Sequence, residues 1–215
     1  MRDTIIDHTA RYVRQTLATA EGGHDWWHIQ RVWLNAQQIA AREGGHRLVV
    51  ELGALLHDIA DAKFHQGDEE EGPRRARAYL ESQAVEAAVV EAVVSIVRDV
   101  SFRKGAAVET LELAIVQDAD RLDALGAVGI ARAFSYGGFA NQPLHDPTLP
   151  PPGKTTINHF YEKLLRLKDR MNTETGKQMA AERHQFMEQY LAQFFREVGR
   201  EGDRDAMPRV GTGQS

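Results

Sequence analysis

Apolar residues recur at helical spacing along almost the whole chain. Between Trp26 and Ala40 they fall at Ile29, Val32, Trp33, Ala36, Ile39 and Ala40, which is one face of a helix. Asp25 stands just before this run and predicts an N-cap that takes a hydrogen bond from an orphan amide of the first turn. The next segment, Leu48 to Ala60, reads LVVELGALLHDIA. It is apolar on most sides and predicts a helix buried in the middle of a bundle. Residues 69–81 predict a charged surface helix and 84–97 a more apolar one. Further helices are predicted over 108–119 and 122–134, then an extended loop over the Pro- and Gly-rich stretch 137–153. Two helices close the pattern, over 157–167 and 175–198. In the last, Met179, Phe186, Met187, Tyr190, Leu191, Phe194, Phe195 and Val198 share helical spacing, and most are expected in the core. No segment alternates with period two between turn signals, and no unit repeats. The expectation is an all-α protein, a single-domain helical bundle over residues 1–200 with a flexible tail at 201–215.

Composition narrows the classes. With 215 residues, 42% hydrophobic and 27% charged, the chain is of ordinary globular make-up and long enough to bury its own core. Cysteine is absent, which excludes disulfides, thiolate metal sites and cysteine nucleophiles, and fits a reducing, cytoplasmic setting. No apolar run reaches the length of a membrane span. The opening MRDTIIDHTARYVRQ scatters its charges and lacks the apolar block of a secretory signal. A net charge of −5 argues against stable nucleic-acid binding, which rests on clustered Lys and Arg. Local basic patches remain open for a small phosphorylated ligand.

The chemistry concentrates at His57-Asp58, set in the apolar run GALLHDIAD. Burying an imidazole and a carboxylate is costly unless they are paired or hold a cation. Both readings stand on the residues alone. Further donors of the same kind are His28, in HDWWHIQRV, and the acids at 118, 120 and 123 in QDADRLDALGA. Imidazole nitrogen and carboxylate oxygen suit Mn²⁺, Fe²⁺, Co²⁺, Ni²⁺ or Zn²⁺, and two of each leave two octahedral positions for water and substrate. His8, His46 and His184 lie in polar surroundings and are expected at the surface. Trp26, Trp27 and Trp33 fit core or rim packing better than base stacking. GKTT at 153–156 is no phosphate loop, because Thr148 stands where the first glycine is required and no strand precedes it. Ser101 and Ser135 lack the setting of a serine nucleophile.

The order H…HD…D, here His28, His57-Asp58 and Asp120, resembles the HD-domain phosphohydrolase superfamily. The likeness extends through HDWWH at 24–28, LGALLHDIAD at 52–61, QDADRLDALGAVGIARAF at 117–134 and INHFYEKLLRLKDRMNTETGK at 157–177. These blocks are similar to a bacterial subgroup of small stand-alone HD proteins and cover about residues 5–198. The resemblance implies an all-α bundle of the HD-domain type, a divalent metal and hydrolysis of phosphate esters or anhydrides. For the subgroup it implies cleavage of (deoxy)nucleoside triphosphates to monophosphate and pyrophosphate with Mn²⁺, with Fe²⁺, Co²⁺, Ni²⁺, Zn²⁺ or Mg²⁺ as alternatives.

Carried over by position, His28, His57, Asp58 and Asp120 are the metal ligands, with Asp118 as the alternative to Asp120. Asp61 stands three residues after the HD aspartate, where many HD hydrolases have an acid, and is expected to act as the base; one helical turn between 58 and 61 allows both to face one site. Lys63, Lys154, His159 and Lys163 are the expected substrate-binding residues, with Asn158 beside them and His24 and His65 flanking the motifs. Arg121 neighbours Asp120 but points away on a helix. Other readings are a nucleotide phosphomonoesterase, a non-catalytic metal- or nucleotide-binding sensor, and a helical scaffold in which HD is only a buried pair. The apolar final helix leaves room for a homodimer.

Overall fold

The computed structural model describes residues 4–18, 25–60, 68–100, 108–149 and 153–199. Among these every regular element is helical, as the periodicity predicts. The chain divides into two compact units, Met1–Asp120 and Arg121–Ser215. The expected tail at 201–215 lies outside the described residues.

The first unit contains α1 (Ile5–Thr16), α2 (Trp26–Glu43), α3 (Arg47–Leu56), α4 (Glu71–Ser82), α5 (Ala87–Asp99) and the body of α6 (Leu111–Leu122). Helix α3 is its centre. Val49, Val50, Leu52, Ala54, Leu55 and Leu56 are all buried, and α1, α2 and α5 pack around it. Gly53 allows the approach of α5: a Cβ there would sit 3.0 and 3.1 Å from the Cδ1 and Cγ2 of Ile96. Helix α4 is charged outside, yet turns Gly72, Pro73, Ala76 and Leu80 inward. It pairs with α5, and Arg77 reaches Glu91 through bonds of 2.5 and 2.6 Å.

Helix α1 was not among the segments predicted from periodicity. A capping box made by Thr4 and Asp7 starts it, and Tyr12 stacks on Tyr79 of α4 with ring centroids 4.0 Å apart. Thr9 and Val13 are buried on it and Ile5, Ile6 and Tyr12 half-buried, a single face at helical spacing that the sequence does carry.

One polar residue belongs to the core of this unit. Glu51 is 4% exposed and accepts from Trp33 Nε1 at 2.9 Å, Gln37 Nε2 at 2.8 Å and Arg47 Nε at 2.5 Å. Burial opposes its charge, but the hydrogen bonds from Arg47, Gln37 and Trp33 outweigh burial and hold its carboxyl below the ordinary range. Two of the donors come from α2, so the carboxylate fastens α2 to α3. Trp33 therefore packs at a rim, as expected, whereas Trp27 is 54% exposed with the Arg14 guanidinium 6.0 Å from its ring.

The second unit holds α7 (Gly126–Phe139), α8 (Thr156–Glu162), a 3-10 helix (Leu164–Arg170) and α9 (Glu174–Glu197). Helix α7 starts later and runs longer than predicted. Residues 123–125 turn instead of continuing α6, and Gly126 enters α7 at φ +69°, where an added Cβ would also meet Arg183 at 3.1 Å. The helix expected over 157–167 breaks at Lys163 into α8 and the 3-10 segment. Thr155 and Thr173 cap α8 and α9. Phe134, Phe160 and Tyr190 form an aromatic cluster with centroid distances of 5.8, 6.0 and 6.2 Å.

On α9 the buried face is Ala180, His184, Met187, Leu191 and Phe195. Phe186 and Val198 are exposed, and Met179, Tyr190 and Phe194 half-buried, so the face is offset from the predicted one. His184, expected at the surface, is 5% exposed. Its position on the stripe overrides its polarity. His8 and His46 are exposed as expected, and His46 caps α3 by accepting from Val49 N.

Candidate metal centre

Three segments of the first unit bring the predicted donors together. Asp25 caps α2 and accepts from the His28 backbone N–H at 2.9 Å, which sets His28 in the first turn with its side chain facing inward. His57 is the residue that ends α3. The helix stops at Leu56, four residues short of the predicted end, and residues 57–60 form a turn. At this end His57 Nδ1 lies 2.8 Å from the Ala54 carbonyl and caps it. Asp120 lies in the last turn of α6, and Asn35 Nδ2 donates to the carbonyl of its neighbour Ala119 at 3.2 Å.

The two Nε2 atoms of His28 and His57 are 3.3 Å apart. His28 Nε2 lies 3.7 Å from Asp58 Oδ2 and 3.5 Å from Asp120 Oδ1; His57 Nε2 lies 3.8 and 4.0 Å from the same atoms. Both imidazoles are buried, while the carboxylates are 23% and 42% exposed, so the cluster opens on its carboxylate side. His28, His57 and Asp120 each offer one donor atom within 4.8 Å of the others.

The geometry bears on the two readings left open above. A carbonyl cannot donate, so His57 Nδ1 carries the proton and its Nε2 presents a lone pair in the neutral ring. An imidazole–imidazole hydrogen bond accounts for the 3.3 Å contact but leaves two carboxylate oxygens within 4.0 Å of that lone pair. A cation among the four groups removes this conflict. Donors about 2.1 Å from one ion lie about 3.0 Å apart at right angles and about 4.2 Å apart across it, which brackets the distances seen here. The residues therefore fit a divalent metal. The bond from His57 Nδ1 to a backbone carbonyl is also the usual second contact of a metal-ligating histidine.

Asp118, the alternative ligand, is fully buried and is not one of the three donors grouped within 4.8 Å, and Asp123 is ion-paired with Arg132. Asp61, Lys63, His24 and His65 lie outside the described residues. With α3 ending at Leu56, the helical-turn argument joining Asp61 to Asp58 no longer holds, and the role of Asp61 rests on the resemblance alone. Lys154 and Lys163 are exposed residues of the second unit, on the loop before α8 and at its C-terminal end. His159, half-buried on α8, has its imidazole pushed down by burial and by Lys163. Asn158 has a structural task, donating to the carbonyls of Leu149 and Gly153 at 2.8 Å each. Arg121, as expected, turns elsewhere and donates to the Arg170 carbonyl.

Two residues that matter to the cluster escaped sequence reasoning, Asn35 and Ala54. The signal for Asn35 is its place seven residues after His28, on the same buried face of α2. Ala54 acts only through its carbonyl and leaves no trace in side-chain pattern.

Comparison with known proteins shows the family. The model of the HD domain matches residues 26–125, the span that holds all four donors. The uncharacterized protein YpgQ of Bacillus subtilis is 37% identical over 195 residues, covering 87% of this chain and 90% of YpgQ. Among solved structures, an HD-superfamily hydrolase from Bacillus thuringiensis is 44% identical with a TM-score of 0.78, covering 90% of this chain and 96% of its own. Bacillus subtilis YpgQ in complex with ADP is 35% identical with a TM-score of 0.74, covering 90% and 97%. With the matched fold, the matched span and the four donors in one place, this chain belongs to the HD-domain family.

Proposed function

We propose that the protein is a divalent-metal-dependent phosphohydrolase that converts (deoxy)nucleoside triphosphates to monophosphate and pyrophosphate, with Mn²⁺ as its ion. The observation that carries this reading is the convergence of His28, His57, Asp58 and Asp120, two imidazole nitrogens and two carboxylates with an opening to solvent. Bound there, a divalent ion supplies Lewis-acid chemistry, making water more acidic and offsetting charge on phosphate oxygens. Hydrolase naming of the Bacillus thuringiensis relative supports the reaction class, and ADP in YpgQ supports a nucleotide.

The chain's own residues divide the work. The imidazoles and carboxylates hold the ion. Asp61 takes the proton from the attacking water as the P–O bond between the α and β phosphorus atoms breaks. Lys63, Lys154 and Lys163 supply positive charge to the phosphates. His159 is neutral near pH 7, because burial and Lys163 depress its pKa, so it serves as a hydrogen-bonding group and not as a cation.

The test is product analysis on Mn²⁺-loaded protein with ribo- and deoxyribonucleoside mono- and triphosphates. Equimolar pyrophosphate and monophosphate from triphosphates is the expected result. Orthophosphate from monophosphates without pyrophosphate would make the protein a phosphomonoesterase. Nucleotide binding with no turnover would make it a sensor.

A further inference from the structure

Asn35 is 6% exposed on a face of α2 whose other members, Ile29, Val32, Ala36 and Ile39, are fully buried and apolar. A buried amide in such a stripe is unfavourable unless it is bonded. Its Nδ2 donates to the carbonyl of Ala119 at 3.2 Å, across 84 residues of sequence. The same helix α2 carries His28 two turns earlier, and the acceptor is the peptide immediately before Asp120. One hydrogen bond thus ties the helix that presents an imidazole donor to the backbone that presents a carboxylate donor 3.5 Å from it. The acceptor lies in the last turn of α6, where carbonyls lack partners further along the helix and the backbone frays most readily.

We propose that Asn35 is a positioning residue that sets the affinity of the centre for its cation by holding Ala119, and through it Asp120, against α2. The inference rests on the metal reading of the cluster and extends it to a residue that touches neither ion nor substrate. Asn35→Leu keeps the branching and suits the apolar face, at the cost of some extra volume, and removes the donor. Asn35→Ala removes the donor without crowding, and serves if the leucine disturbs the fold. Leu80→Ala, a cavity on α4, which carries none of the four donors, controls for lost stability.

The experiment is calorimetric titration of the metal-stripped full-length chain with Mn²⁺, with far-ultraviolet circular dichroism to establish that each variant is folded. The expected result is a Kd raised about tenfold in both Asn35 variants, the low end of the loss for a group bonded directly to a ligand, because Asn35 acts one peptide away, and unchanged in Leu80→Ala. The Co²⁺ visible spectrum should shift in the Asn35 variants only. Folded Asn35 variants that bind Mn²⁺ as tightly as wild type overturn the proposal while leaving the metal centre intact. An equal loss in Leu80→Ala also overturns it, because affinity would then follow stability. Wild-type chain that binds no divalent ion overturns the metal reading and this proposal with it.

Discussion

Glu51 offers a clean test of how the first unit is held together. Its carboxylate accepts from Trp33 and Gln37 on α2 and from Arg47 one turn back on α3. The Arg47 side chain is 84% exposed, so solvent screening leaves that pair with little net worth. The two bonds from α2 carry the effect. In Glu51→Gln the amide oxygen turns toward α2 and both bonds survive without charge assistance. The difference is about 1 kcal/mol per bond, partly offset by the lower cost of burying a neutral group, for a net loss of about 1 kcal/mol. Glu51→Leu leaves both donors unsatisfied at about 1–3 kcal/mol each. Because Trp33 and Gln37 are half-buried and water relieves them in part, the net loss should be about 2–4 kcal/mol. The sign of the pH effect follows from the depressed carboxyl. Stability from Glu51 is fully present above the unfolded value near 4.5 and is lost as pH falls through the lower folded value. The gap between wild type and Glu51→Gln should therefore shrink below about pH 4.5. All three tryptophans lie on α2, so urea denaturation followed by tryptophan fluorescence reports this unit alone. Equal stability of Glu51→Leu and Glu51→Gln, or a gap that widens toward acid pH, would refute the reasoning.

Two further expectations follow from packing. Burial, and next Lys168, push the His184 imidazole down, with Glu188 opposing weakly, so the neutral ring is the folded form. Its contribution is present above the unfolded pKa of about 6.5 and is lost as pH falls below it; His184→Leu should flatten the loss of melting temperature between pH 7 and 5, and an unchanged acid slope would count against the buried placement. At Gly53, alanine gains up to about 1 kcal/mol in helix propensity but drives a Cβ into Ile96, at an overpacking cost of about 1–3 kcal/mol. Gly53→Ala should thus be neutral to destabilising in urea, and adding Ile96→Val, which deletes the contacted Cδ1, should recover part of any loss; a clear gain from the single change would show that α3 and α5 are not in close contact there.

The four donors could be read from the sequence because ligand chemistry restricts residue type. A histidine-aspartate pair inside GALLHDIAD has few uses, and the blocks around it resemble one family. What stayed hidden depends on backbone. The end of α3 at Leu56, where the His57 side chain reaches the Ala54 carbonyl, is announced by no glycine or proline. Asn35, Glu51 and His184 are polar residues at apolar positions of their stripes. Reading each by its polarity places it at the surface or ignores it, whereas reading it by position gives the right answer in all three cases. Helix α1 was legible: after the Thr4–Asp7 capping box, Ile5, Ile6, Tyr12 and Val13 share one face at helical spacing. The boundary between units after Asp120 falls inside α6, so no loop or composition shift marks it.

The central claim is that His28, His57, Asp58 and Asp120 hold one divalent ion. It is tested most directly by titrating metal-stripped protein with Mn²⁺ in wild type and in Asp120→Ala, counting ions bound per chain. The account predicts one ion per wild-type chain, with a rise in melting temperature that follows the bound fraction, since an ion that binds only the folded form stabilises it by about 2.7 kcal/mol at a hundred times Kd. It predicts that Asp120→Ala, still folded, loses both the binding and the rise. A wild-type chain that takes up no ion, or an Asp120→Ala chain that binds as tightly as wild type, would contradict it.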